Sequence, residues 1–185
     1  MAWIRIVDES QAGKELIKVY EQIKYKRGKL SNIMMVQSLN PAAMQAHMEL
    51  YLSIMFQTTG LNREEREMIA VVVSKANACD YCINHHSEAL NFYWRDRRQL
   101  EDFVRNFRSV ELSQRDLNLL EYAEKLTKNP KVIQESDITT LRSVGFRDRD
   151  ILDINLIVGY FNFINRVANG LGVEFSQDEV SGYKY

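Results

Sequence analysis

The stretch NREEREMIAVVVSKANACDYCINHHSEA, residues 62–89, contains both cysteines of this 185-residue chain and two of its three histidines. Its first half predicts a helix, because Asn62 and Glu65 have the spacing of an N-terminal capping box and a run of charged residues follows. Its second half predicts another helix, with Asn77 as the candidate N-cap. Both cysteines would then lie in the first two turns of that second helix.

The helical pattern continues on both sides of this stretch. Apolar residues recur at the spacing of one helix face in a first helix, at Leu16, Val19, Tyr20 and Ile23. Asn40 and Pro41 are typical of an N-cap and a first helical turn, and they predict a helix that runs to Gly60. Further helices are predicted over 100–107, 113–128, a short segment after Ser136, and 148–168, the last ended by Gly170 and Gly172.

We therefore predict an all-α protein with a single compact domain. Residues 1–30 would form an N-terminal helical extension, 31–175 the helical domain, and 176–185 a polar tail that is mobile or docks on a partner. The last helix carries apolar residues on more than one face, including Leu156 and Phe163. A helix of that kind needs cover on several sides, so we expect a homo-oligomer.

Composition narrows the functional classes. The chain is 45% hydrophobic and 26% charged, which is ordinary for a globular protein with a core of its own. Its formal net charge is −1 and its most basic run, KYKRGK at residues 24–29, is interpreted as a solvated helix end, so no nucleic-acid partner is predicted. No stretch approaches the roughly 20 apolar residues of a membrane span. We predict a cytoplasmic protein without membrane contact, in which paired cysteines serve catalysis, redox sensing or metal binding.

Cys79, Cys82 and His86 share one face of the predicted helix. Each residue turns a helix by about 100°, so Cys82 lies about 60° and His86 about 20° from Cys79. This arrangement supplies a nucleophile, a base one turn away and a second sulfur. A thiolate near a helix N-terminus is favoured, attacks peroxide oxygen, and forms a sulfenic acid that a neighbouring thiol can convert to a disulfide.

Two other interpretations compete for the same residues. Cys79, Cys82, His85 and His86 could bind structural zinc, but four ligands from one helix span a tetrahedron poorly. The cysteines could also be simple core residues. His85 is expected to be an exposed helical residue. His47, in a methionine-rich helix, is expected at the surface or as a hydrogen-bonded core histidine.

The order Glu67, eleven residues, Cys79-Asp80-Tyr81-Cys82, three residues, His86 resembles the signature of the alkylhydroperoxidase D / carboxymuconolactone decarboxylase-like superfamily. The segment YFNFINRVANGLGVE, residues 160–174, is similar to its uncharacterised peroxidase-related branch. The resemblance covers approximately residues 30–175. On its own, Glu67 would be interpreted as a solvated charge paired with Arg63.

The resemblance implies a helical fold assembled as a trimer or hexamer and a thiol-dependent peroxidase activity. It assigns Cys82 as the attacking thiol, Cys79 as the proton donor and disulfide partner, His86 as the activator of Cys82, and Glu67 as the residue that orients His86. A hydroperoxide substrate and an external dithiol reductant are the implied partners. No cofactor and no metal are predicted.

One position departs from the family pattern. Characterised alkylhydroperoxidase D enzymes have a histidine directly before the second cysteine, where this chain has Tyr81, and a phenol of pKa about 10 is no base at neutral pH. Peroxidase activity could therefore be weaker or differently directed. Decarboxylase members lack the cysteine pair, which disfavours lactone decarboxylation. Tyr81 could line the pocket, and Phe161, Asn165 and Arg166 could border the site or a subunit interface.

Two alternative functions remain. The chain could be a thiol–disulfide exchange protein or redox sensor, or it could be a non-enzymatic oligomer that contains zinc.

Overall fold

The computed structural model describes residues 2–180, 182 and 183, and within them the chain forms nine α-helices and no β-strand. The helices are α1 Lys14–Arg27, α2 Asn32–Met35, α3 Pro41–Met55, α4 Arg63–Ala76, α5 Asp80–Trp94, α6 Arg97–Arg105, α7 Gln114–Lys128, α8 Glu135–Ser143 and α9 Asp148–Leu171. Short 3-10 turns occupy Phe107–Ser109, Pro130–Val132 and Gln177–Val180. The all-α prediction is confirmed. None of the helices in this described part is long and apolar enough to cross a membrane.

Helix α4 lies at the centre of the fold and packs against α5, α7 and α9. Its residues from Glu65 to Ser74 are all buried. The predicted capping box is present: Asn62 Oδ1 accepts the Glu65 N–H at 2.7 Å, and Glu65 Oε2 accepts the Asn62 N–H at 2.7 Å. Packing outweighs the weak helix preference of three consecutive valines, so they stay helical. The helix is thus a rigid support for Glu67.

Helices α1 and α3 form a smaller apolar cluster beside this core, in contact with each other. The face predicted for the first helix is the buried face of α1. Asn40 caps α3 as expected, its Oδ1 accepting the Ala43 N–H at 3.1 Å, and Pro41 is the first helical residue. The predicted end of this helix at Gly60 is wrong.

Helix α3 ends at Met55 because α4 binds its last carbonyl groups. Arg63 Nη1 donates to the Met55 carbonyl at 2.6 Å, and Arg66 Nη1 donates to the Ile54 carbonyl. Buried guanidinium groups thereby satisfy acceptors that would otherwise need another helical turn. The same contacts bring the end of α3 against the start of α4.

The connection between α4 and α5 is a tight turn that the sequence analysis placed wrongly. Asn77 ends α4 instead of capping α5. Ala78 adopts a left-handed conformation with φ 51°, and the Cys79 N–H donates to the Ser74 carbonyl at 2.9 Å. A left-handed alanine costs about 1 kcal/mol or more, so the surrounding packing must hold it. Cys79 becomes the N-cap of α5, and Cys82 lies in the first turn.

The last helix begins at Asp148 as predicted and continues to Leu171, where Gly172 ends it at φ 61°. Beyond it, part of the predicted tail packs on the chain itself instead of being free or awaiting a partner. Glu179, in the last 3-10 turn, is buried; its carboxylate accepts the Asn32 N–H at 3.1 Å and the Tyr81 hydroxyl at 2.6 Å. Residues 181, 184 and 185 of the predicted tail lie outside the described residues.

Candidate active site: a buried dithiol beside a histidine and a glutamate

Both cysteines are reduced and buried at the N-terminus of α5. Cys79 is 0% exposed and Cys82 3% exposed, and both pack with Tyr81 and Ala168 in a small cluster of their own. The N-terminal end of a helix carries unpaired N–H groups and the positive end of its dipole. These groups favour a negative charge close to the start of α5.

The two thiols share a hydrogen bond that shifts their pKa values in opposite directions. A hydrogen bond from Cys82 lowers the pKa of Cys79, with smaller help from the Cys82 N–H and from Asn165. The same hydrogen bond to Cys79, together with burial, raises the pKa of Cys82 well above its ordinary value. This hydrogen bond therefore favours ionisation of Cys79 before Cys82. The attacking role that the family resemblance implies for Cys82 stays a prediction, and it requires Cys82 to lose its proton before it attacks.

Glu67 is fully buried on α4, which rules out the solvated alternative considered for it. Its Oε1 lies 2.5 Å from Arg63 Nη2 and its Oε2 lies 2.7 Å from His86 Nδ1. Burial by itself raises the pKa of Glu67, but Arg63 and His86 outweigh it and lower that pKa to about 2. The predicted pairing with Arg63 does occur, so one carboxylate joins a guanidinium on its own helix to an imidazole on α5.

The Glu67 contact sets the orientation of the His86 ring. A carboxylate can only accept, so His86 Nδ1 carries the proton in the 2.7 Å hydrogen bond. The Phe161 ring packs edge-on against the imidazole, with centroids 4.6 Å apart. In the neutral ring the lone pair is then on Nε2, the nitrogen on the side away from Glu67. His86 is held as a base whose free nitrogen is available to a group in the adjacent cavity.

Cys82 and His86 line one cavity of about 50 Å³, whereas Cys79 does not reach its surface. That volume holds only a few water-sized groups. The other residues around it come from α1, α2, α3, α5, α9, the segment between α1 and α2, and the C-terminal segment: Arg27, Lys29, Ser31, Ile33, Met34, His47, Met48, Tyr51, Tyr81, His85, Tyr160, Ile164 and Tyr183. A small molecule in this cavity can therefore contact Cys82 but not Cys79.

Two of these lining residues, His85 and Arg27, lie where the sequence did not predict them. His85 is not an exposed helical residue: it is half-buried, its ring stacks on Tyr81 at 5.9 Å and meets the Tyr183 ring at 4.9 Å. Burial lowers the pKa of His85 to about 3, so the ring is neutral. Arg27, expected in a solvated helix end, is buried with its guanidinium 4.5 Å from the Phe56 ring centroid.

His47 is a hydrogen-bonded core histidine, one of the two expectations for it, but it also belongs to the cavity. Tyr81, at the position that departs from the family pattern, lines the cavity as well and donates its hydroxyl to Glu179. Its phenol therefore ties the C-terminal segment to the site.

Asn165 is the site residue whose role the sequence left open. It is buried on α9, donates to Ser74 Oγ at 3.1 Å, and accepts from Asn77 Nδ2 at 3.0 Å. Its amide also hydrogen-bonds toward the dithiol and lowers the pKa of both cysteines. Arg166 lies elsewhere: it is exposed and binds Asn162 on its own helix. Among the residues that the structure describes, no three His, Cys, Asp or Glu side chains are grouped to hold a metal ion.

Comparison with known proteins identifies the family of the chain. The family model described as the carboxymuconolactone decarboxylase family matches residues 41–123, which include Glu67, both cysteines and His86. An uncharacterized peroxidase-related protein from Silicibacter sp. is 32% identical, with 99% of this chain and 96% of that chain covered at a TM-score of 0.87. The chain belongs to the alkylhydroperoxidase D / carboxymuconolactone decarboxylase-like superfamily.

Two further solved structures share this fold. A Ralstonia eutropha protein described as an alkylhydroperoxidase AhpD core and as peroxidase-related is 26% identical, covers 97% of this chain and 94% of its own, and has a TM-score of 0.87. The debrominase Bmp8, solved with 2,3,4-tribromopyrrole, is 18% identical over 97% of this chain and 96% of its own at a TM-score of 0.78, which shows a shared fold alone. No curated protein matches the chain significantly.

Proposed function

We propose that this protein is a thiol-dependent peroxidase that reduces small hydroperoxides through Cys82 and Cys79. The observation that carries the proposal is the buried Glu67–His86 pair beside a cavity that exposes Cys82 and not Cys79. Peroxidase-related structural relatives support it. Both sulfurs, the base and its orienting carboxylate are present without any need for a cofactor.

The first half of the reaction oxidises Cys82. His86 Nε2 accepts one proton from the dithiol, and the imidazolium is stabilised by the Glu67 carboxylate. The proton that remains on the pair moves from Cys82 to Cys79, so Cys82 becomes the thiolate. Its sulfur attacks the terminal oxygen of ROOH, an S–O bond forms and the O–O bond breaks. The departing RO⁻ takes the proton from His86 and leaves as ROH, with Cys82 as a sulfenic acid.

The second half forms the disulfide. Cys79 gives its proton to His86 and attacks the sulfur of the Cys82 sulfenic acid. The S–O bond breaks, and the departing hydroxide takes the proton from His86 to give water. An external dithiol then reduces the disulfide by thiol–disulfide exchange. The hydrogen bond between the two sulfurs supports this step, because it already brings them together.

Trapping of the sulfenic acid tests the proposal. In Cys79→Ser, the resolving sulfur is gone and Cys82 should react with a cyclic dione that labels sulfenic acids after one equivalent of hydroperoxide. Cys82→Ser, with Cys79 intact, should take no label. Absence of label on Cys82 in the first variant would refute the proposed attacking thiol.

Thiol–disulfide exchange without peroxide turnover is the alternative that keeps the dithiol. The cavity of about 50 Å³ disfavours it, because a protein disulfide could not reach the buried sulfurs without opening the site. Turnover should be measured with several hydroperoxides and with a protein disulfide. Because the fold is shared with a debrominase, 2,3,4-tribromopyrrole should also be tested as a substrate. Turnover of a protein disulfide or of the bromopyrrole, with none of the hydroperoxides, would overturn the peroxidase proposal.

The proposal extends to assembly. Helix α9 leaves Leu152, Leu156 and Phe163 exposed along one stripe, at 53%, 43% and 51%. Such an apolar stripe on the exposed face of a helix is suited to a second copy of the chain, so we propose a trimer or hexamer. Light scattering should give a mass several times that of the chain, and a monomer at micromolar concentration would refute the assembly. A cytoplasmic location and the absence of nucleic-acid and membrane partners remain predictions.

A further inference from the structure

Gln37, His47 and Tyr160 form a chain of hydrogen bonds that ends at the cavity surface. Gln37 Nε2 donates to the Ile33 carbonyl at 2.7 Å and lies 2.8 Å from His47 Nδ1. On the other side of the ring, His47 Nε2 lies 2.6 Å from Tyr160 Oη. His47 and Tyr160 are buried and both line the cavity that Cys82 faces. The mechanism above uses none of these three side chains.

The direction of the chain follows from its first contact. A backbone carbonyl only accepts, so the Gln37 atom facing Ile33 is the amide nitrogen, and its second N–H points at His47 Nδ1. Burial lowers the pKa of His47 to about 4, so the ring is neutral at neutral pH. A neutral ring that accepts at Nδ1 carries its proton on Nε2. His47 therefore donates to the oxygen of Tyr160.

Tyr160 is left with a hydroxyl proton that faces no protein acceptor. Its oxygen is occupied by the His47 N–H, and the described residues offer it no other hydrogen-bond partner. Burial raises the pKa of Tyr160 well above its ordinary value, with further contributions from Tyr51 and Cys82, so the proton stays on the phenol. A buried donor without an acceptor is costly unless a ligand supplies one. The cavity is where that ligand would lie.

We propose that Tyr160 donates a hydrogen bond to the oxygen that leaves when Cys82 attacks a hydroperoxide, with His47 and Gln37 as positioning residues. The proposal rests on the peroxidase function proposed above. As the S–O bond forms, the electron pair of the O–O bond moves to the departing oxygen. Tyr160 stabilises that charge and keeps its own proton, while His86 supplies the proton that completes ROH. The role is that of an oxyanion donor.

Tyr160→Phe removes only the hydroxyl. We expect the rate constant for oxidation of Cys82 by an alkyl hydroperoxide to fall by about 100-fold, the lower end of the cost of one lost oxyanion donor. Alkylation of Cys82 by iodoacetamide has no departing oxygen and should keep its wild-type rate. With a peracid, whose departing carboxylate is a far weaker base than an alkoxide, the loss should be much smaller.

Two further variants separate this role from a structural one. Tyr122→Phe removes another buried phenol, whose hydroxyl donates to Asn155 Oδ1 at 3.2 Å outside the cavity. This variant should react with alkyl hydroperoxide, peracid and iodoacetamide at the wild-type rates. Gln37→Met removes the donor that fixes the His47 tautomer and should slow peroxide oxidation less than Tyr160→Phe does. In the Tyr160→Phe background it should cause no additional loss, because it acts only through the hydroxyl.

The outcomes distinguish this inference from the function on which it rests. A Tyr160→Phe variant that reduces hydroperoxides at the wild-type rate would overturn the inference and leave the peroxidase proposal standing. An equal loss with hydroperoxide, peracid and iodoacetamide would also overturn it, because that pattern reports damage to the thiol itself. A wild-type chain that oxidises no faster than free cysteine would overturn both.

Discussion

Replacing Glu67 by glutamine should inactivate the site by reversing the His86 tautomer. In the wild type, Oε1 faces the Arg63 guanidinium at 2.5 Å and Oε2 faces His86 Nδ1 at 2.7 Å. In Glu67→Gln the carbonyl oxygen must stay toward Arg63, which only donates, so the new NH₂ group points at His86. The ring then accepts at Nδ1 and carries its proton on Nε2, where it can no longer take a proton from the dithiol.

The magnitude follows from the two effects of the lost charge. Loss of a positioned general base costs about 10²- to 10⁴-fold in rate, which is the expected fall in the rate constant for peroxide oxidation. The pKa of Glu67 falls from its ordinary 4.5 to about 2. Burial opposes this shift, whereas Arg63 and His86 cause it. A shift of that size corresponds to about 3 kcal/mol, so the variant should lose stability of that order at neutral pH.

The assay is stopped-flow oxidation of the reduced protein, with chemical denaturation in parallel. Glu65→Gln is the matched control, because Glu65 is also buried on α4 and paired with an arginine, Arg115 at 2.9 Å, but does not contact His86. The Glu65→Gln variant should lose stability and keep the wild-type rate constant for oxidation by peroxide. A folded Glu67→Gln protein that oxidises at the wild-type rate would refute the tautomer argument.

Three other outcomes are expected. Since the folded-state pKa of Glu67 is lowered, its stabilisation is present above pH 4.5 and is lost as pH falls toward 2; acid unfolding of Glu67→Gln, followed by circular dichroism, should lack that part of the decline. Asn165→Asp places a negative charge where an amide favours the thiolates, so iodoacetamide labelling of the dithiol at pH 7 should slow by about tenfold, one pKa unit; an unchanged rate would remove Asn165 from the site. Removal of residues 177–185 deletes Tyr183 from the cavity wall and should speed the reduction of bulky hydroperoxides relative to hydrogen peroxide; equal effects on both would show that the segment does not restrict access.

Most of the helices could be predicted because their signals are local, whereas the four candidate site residues were predicted together through the family pattern. The capping box of α4, the N-cap of α3 and the start of α9 each depend on residue types a few positions apart. The spacing from Glu67 to His86 could be matched to a family pattern. The exact start of α5 could not be predicted, because it depends on a left-handed alanine that no local preference favours.

What the sequence did not show depends on contacts between distant segments. His47 and Tyr160 are 113 positions apart, and only packing of α3 against α9 joins them. His85 was expected to be exposed because it lies off the face of the cysteines, but Tyr183 from the C-terminal segment packs on it. The lowered pKa of Cys79 follows first from its hydrogen bond with Cys82, which residue types alone do not reveal.

The most direct test of the account is the stoichiometry and rate with which the reduced chain consumes a hydroperoxide. One equivalent mixed with reduced protein should yield one alcohol per chain, remove both thiols as a Cys79–Cys82 disulfide, and do so faster than free cysteine reacts. Thiols that persist, or that disappear at the rate of free cysteine, would contradict it.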